Sequence, residues 1–84
     1  MEIKAIRKDN LVELNVREMQ KQKEEPFHVI MDAVDSLKQG DTFILHTIIN
    51  PVPLLGVMEG RGFQNEVKQL EEDHWQITFK MRDE

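Results

Sequence analysis

The chain of 84 residues contains no cysteine, which removes disulfides, thiol nucleophiles and thiolate metal sites together. It has a single serine, Ser36, and no nucleophile–base–orienter set is visible around it. It has no excess of positive charge. Eleven Lys and Arg stand against 16 Asp and Glu, a net charge of −5, so non-specific binding to nucleic acid or to an anionic membrane is not expected. No apolar run approaches the roughly 20 residues of a membrane span. Residues 1–7 lack the apolar core of a signal peptide, so the cytoplasm is the expected compartment. The glycines at 56, 60 and 62 do not directly follow a strand, so they do not form a phosphate-binding loop. At 39% apolar and 32% charged, the chain reads as one small domain with a modest core.

Periodicity supplies the elements that are present. Residues 1–10 are charged, with Ile3 and Ala5 alternating, and read as a flexible segment or an extra edge strand. Val12, Leu14 and Val16 alternate with Glu13 and Asn15 and give the first confident strand over 11–16. Residues 17–25 read as a polar connection. Pro26 opens a helix, because a first-turn proline leaves no N–H unpaired, and Glu24 and Glu25 favour its positive end. Phe27, Ile30, Met31, Val34 and Leu37 form an apolar stripe, and Gly40 suits the cap.

The apolar run over 42–47 predicts an interior second strand. Asn50 is the expected cap of a second, short helix over 52–61, opened by Pro51 or Pro53 and closed by Gly62. A third strand over 65–71 carries Val67 and Leu70 at a spacing of three, which implies a bulge. Trp75, Ile77, Phe79 and Met81 alternate cleanly after a polar turn and form the last strand. The order β-α-β-α-β-β predicts an α+β two-layer sandwich: a four-stranded mixed sheet with both helices on one face, spanning 11–82 as a single domain. Phe27, Ile30, Val34, Leu37, Leu54, Met58, Ile77 and Phe79 are the expected core.

The candidate functional residues are few. His28, His46 and His74 fall on a helix, a strand and a turn, with no local metal-ligand spacing. His46 lies near the C-terminal end of a central strand, where open α/β sheets bind ligands. The acidic clusters Glu24–Glu25 and 71–73 read as helix-end and turn charge rather than as an acid–base pair. Ile48, Ile49 and Val52 are apolar residues in a loop, so they either fold inward or form a contact patch.

Taken in order, Leu14-Asn15-Val16-Arg17-Glu18, Pro26-Phe27, Gly40-Asp41-Thr42, Asn50-Pro51-Val52-Pro53-Leu54, Arg61-Gly62-Phe63 and His74-Trp75 resemble the TusA/SirA-like sulfur-carrier fold. The closer resemblance is to its cysteine-free branch of uncharacterised domains of unknown function. The resemblance implies sheet order 1-2-4-3. Sulfur carriers open their first helix with Cys-Pro; here Glu25 precedes Pro26, so no persulfide can form. The uncharacterised branch often carries Asn-Asp-His-Asp-Pro after the second strand, where this chain reads Thr47-Ile48-Ile49-Asn50-Pro51.

Two functional expectations follow. The first is a non-enzymatic cytoplasmic interaction module, with a protein partner or self-association. Its binding surface would draw on Arg17, Glu25, Pro26, His46, Ile48, Ile49, Asn50, Pro51 and Val52. The second is a small-ligand or metal-binding protein that uses His46 with Arg17 and nearby carboxylates. Neither names a catalytic residue, a metal ligand set or a cofactor. Exposed Ile48 and Ile49 would favour the first. A second histidine or a free carboxylate beside His46 would favour the second.

Overall fold

The computed structural model describes residues 5–81. Ile3 of the expected edge-strand alternation, and Arg82 at the end of the expected domain, lie outside them. The elements run β1 (Ile6–Lys8), β2 (Leu11–Asn15), α1 (Arg17–Lys21), α2 (Phe27–Asp35), β3 (Thr42–Thr47), α3 (Val52–Gly60), β4 (Phe63–Glu71) and β5 (His74–Met81). The sheet is mixed, in the order β1-β2-β3-β5-β4. Strands β2 and β3 are parallel, while β1 with β2, β3 with β5 and β4 with β5 are antiparallel. Five strands and three helices are thus present among the described residues, where the sequence led us to expect two helices and four strands, with residues 1–10 as a flexible segment or an extra edge strand. The four expected strands keep their expected relative order.

The fifth strand, β1, is tied to the body by an ion pair. Arg7 donates to Asp41 Oδ2 at 2.8 Å and to the Ser36 carbonyl at 3.1 Å, and the Lys38 N–H donates to the same Oδ2 at 2.8 Å. The two Arg7 bonds span 34 and 29 residues and are invisible to a local pattern. The Arg7 hydrogen bond, then the Lys38 N–H, hold the Asp41 carboxyl below its ordinary range. A depressed carboxyl contributes stability above its unfolded pKa of about 3.9 and loses it as pH falls through the folded value. Asp41→Asn is therefore expected to be less stable than wild type at pH 7. The gap should narrow below about pH 4, as seen in urea unfolding curves across that window. A constant gap would mean that the carboxylate charge plays no part.

The additional helix, α1, replaces part of the expected polar connection. Its end is closed by Lys23 N–H to the Gln20 carbonyl and Glu24 N–H to the Met19 carbonyl, both at 3.0 Å. Lys23 takes φ 62°, the left-handed position that glycine usually fills. With lysine there, and no buried residue on α1, neither the stop signal nor the apolar stripe appears in the sequence.

Helix α2 ends at Asp35, earlier than expected. Ser36 turns its hydroxyl and N–H onto the Ala33 carbonyl. Gly40, at φ 94°, serves the turn into β3 rather than the helix cap. Helix α3 begins after Pro51 with no side-chain cap, so Asn50 does not cap it. Pro51 and Pro53 have no N–H, and that leaves fewer first-turn donors to satisfy. Gly62, at φ 93°, closes α3, and Phe63 turns into the core. Strand β4 starts at Phe63, earlier than expected, and shifts register between Gln69 and Glu71, where the Val67–Leu70 spacing implied a bulge.

The core is one cluster. Val12, Leu14, Phe43, Leu45, Ile77 and Phe79 point from the sheet to Ile30, Ala33 and Val34 of α2 and to Leu54 and Met58 of α3. Two residues of the expected core depart from it. Phe27 is 48% exposed. Leu37 is only half-buried, because it lies past the end of α2.

Candidate functional site

Alternation along β3 sends adjacent side chains to opposite faces. Thr47 is buried on the helix side, and His46 is half-buried on the side the helices do not cover. The C-terminal end of β3 therefore meets two different environments.

On the helix side lies an open apolar groove of about 200 Å³ between the start of α2 and α3. Pro26, Phe27 and Ile30 form one wall, Pro51, Pro53, Leu54 and Val57 the other, with Gln20, Glu25 and Thr47 also lining it. Glu25 shapes the entrance by accepting the Phe27 N–H on Oε1 at 3.0 Å. Gln20, on α1, accepts the Ile48 N–H at 2.9 Å and so pins the β3–α3 loop. The Thr47 hydroxyl donates to the Ile49 carbonyl within that loop. Ile48 is half-buried, whereas Ile49 and Val52 are 59% and 61% exposed. Of the sequence-derived candidates, Glu25, Pro26 and Pro51 converge on this groove. Ile49, Asn50 and Val52 are exposed in the adjoining loop and first turn of α3.

On the open face, Glu13, His46 and His74 form a chain. His46 Nε2 lies 2.6 Å from Glu13 Oε2, and His46 Nδ1 lies 2.9 Å from His74 Nε2. The two rings sit 5.1 Å apart, centre to centre. An ionised Glu13 only accepts, so His46 Nε2 carries the hydrogen and Nδ1 presents its lone pair to His74. Desolvation, followed by Arg17 and His46, pushes His74 below its ordinary pKa against the opposing pull of Glu71 and Asp73. Arg17 donates from Nε to the Asp73 carbonyl at 3.4 Å and pairs with its carboxylate at 3.7 Å. Glu13 and His74 were not among the candidate binding residues. Each lies 28 or more positions from His46 along the chain, and strand pairing alone joins them. His28 lies exposed on α2 and joins neither place.

The fold and these two sites define a small α+β domain with a mixed sheet. Residues 13–81 match the family described as an uncharacterized conserved protein, DUF2249, and the chain belongs to that family. Neither the curated proteins nor the solved structures yield a match.

Proposed function

We propose that the domain is a non-enzymatic, cytoplasmic protein-interaction module that takes an apolar anchor of a partner protein into the groove between α2 and α3. The supporting observation is the half-exposed Phe27 beside an apolar hollow of about 200 Å³. Small-molecule pockets usually run from about 300 to 1,000 Å³, whereas an interface anchor fills a smaller pocket. The occupant is an apolar segment flanked by Lys or Arg, since Glu25 lines the groove and the chain carries a net charge of −5. A second copy would oppose like charges. We also propose the TusA/SirA-like relationship as the finer classification, supported by the order of the matching short motifs. Because the chain has no cysteine, that relationship carries no sulfur transfer.

The test is selection from a displayed random-peptide library. Peptides with one or two apolar anchors and basic flanks are expected, with affinity falling at least tenfold in Phe27→Ser. Ile49→Ser is expected to leave stability within about 0.5 kcal/mol, as for an exposed site, while Ile48→Ser costs more. Peptides that bind Phe27→Ser as well as wild type would remove the groove reading. Concentration-dependent dimers in sedimentation that Phe27→Ser abolishes would replace the partner with a second copy.

A second reading rests on a separate observation. His46 has both a carboxylate and another imidazole within hydrogen-bonding distance. That arrangement supports a small-ligand or metal role for the open face.

A further inference from the structure

We propose that β4 is a self-pairing edge: two copies of the chain join β4 to β4, antiparallel about Val67, and their sheets become one. The inference is independent of both the groove and the histidine pair. Strand β4 closes one side of the sheet and pairs only with β5 among the described residues, so its outer N–H and C=O groups have no strand beside them. At nine residues it is the longest strand described, against three for β1 at the opposite edge. It holds no proline and no glycine. An edge of this kind is a template for another strand unless something blunts it.

Charged side chains usually do the blunting. Here their arrangement does the opposite, provided that the incoming strand is a second copy. In a two-fold antiparallel pair the central residue faces its own copy, and residues equidistant from it face each other. About Val67 this sets Glu66 opposite the partner's Lys68, Lys68 opposite the partner's Glu66, and Asn65 opposite the partner's Gln69. Opposite charges directly across two strands stabilise the pair. Moving the centre by one residue sets Glu66 against Glu66 or Lys68 against Lys68, which is destabilising. The charges therefore select one register. Both are exposed, and neither forms an ion pair among the described residues. Gln69 Nε2 donates to the Glu72 carbonyl at 3.5 Å, which leaves its Oε1 to accept from the partner's Asn65. Val67 lies opposite Ile77 and packs against the core, so the apolar centre of the ladder sits on the helix side.

The net charge of −5 opposes association at long range. Salt screens that repulsion beyond about 8 Å at physiological ionic strength, whereas the two charge pairs act at contact. The register shift between Gln69 and Glu71 ends the ladder after Gln69. So short a ladder is a small interface, and the dimer is accordingly weak and forms at high chain concentration. No residue of β4 lines the groove, so this dimer survives Phe27→Ser, and a second copy seated in the groove does not.

Sedimentation equilibrium of the full chain, up to about 1 mM, covers the range of weak specific binding. We expect a monomer–dimer equilibrium, with concentration-dependent amide shifts centred on β4. Glu66→Lys and Lys68→Glu should each weaken the dimer at least tenfold. Glu66→Lys also makes the chain less acidic, so an effect of net charge alone would strengthen association instead. The doubly substituted Glu66→Lys/Lys68→Glu chain should recover the dimer, and so should an equimolar mixture of the two single variants. Either restores two opposite-charge pairs about Val67. Both substitutions lie at exposed positions, and circular dichroism checks folding. A chain that stays monomeric to that limit, single variants that associate like wild type, or a mixture that fails to recover would each overturn the pairing. A dimer lost in Phe27→Ser and kept in Glu66→Lys would overturn it too, and would belong to the groove.

Discussion

Val34→Asp is expected to unfold the domain at neutral pH. Val34 is 4% exposed on the inner face of α2, within the cluster that joins both longer helices to the sheet. A carboxylate placed there meets only apolar side chains. An uncompensated buried charge costs about 3–5 kcal/mol, and lost packing adds to it. Domains have about 5–15 kcal/mol of stability in total, with small ones at the low end. The cost therefore consumes most or all of the margin. Far-UV circular dichroism and amide chemical-shift dispersion should show a largely unfolded chain. Val34→Ala, which removes volume without adding charge, should remain folded. A well-dispersed spectrum and a wild-type midpoint for Val34→Asp would show that this face of α2 does not face the sheet.

Phe79→Ala is expected to destabilise by about 3–5 kcal/mol. Phe79 is fully buried and lies opposite Phe43 across β3 and β5, with ring centroids 5.9 Å apart. Truncation removes one ring from the pair and leaves a cavity lined by the cluster. Beta-sheet backbone on both sides resists collapse, so the cavity cost is not relieved. At about 4–8 °C per kcal/mol for a domain of this size, the unfolding midpoint should fall by about 12 °C or more. Urea unfolding should show a lower midpoint with an unchanged slope, because the surface exposed on unfolding stays nearly the same. A midpoint within a few degrees of wild type would contradict the central place given to this pair.

Both predictions rest on residues that local pattern identified. Alternation in β2 and β5 follows from the two-residue repeat of a strand, and each buried residue there was legible in advance. Helix α2 was legible for the same reason, although its ends were not. Its stripe continues to Phe27 and Leu37, but periodicity tells which residues share a face and not where the partner surface stops. Phe27 lies beyond the first turn that touches the core, so it becomes a wall of the groove. Helix α1 was not legible at all, since it buries nothing and ends on a lysine where glycine would have marked the stop.

The sequence by itself determined the succession of the four main strands and the two longer helices along the chain, most of the core and the absence of any thiol chemistry, while the sheet order of those strands came from the family resemblance. It also marked the loop after β3 as unusually apolar. The tertiary structure alone decided that Glu25, Pro26 and Pro51 share one groove, and that Ile48 is half-buried while Ile49 is exposed. It alone brought Glu13 and His74 to the two nitrogens of His46. The physical reason is the range of the information. Hydrophobic period and turn chemistry act over a few residues and can be read locally. The groove and the histidine pair depend on which strands pair and in what register, a property of contacts between residues far apart in the chain.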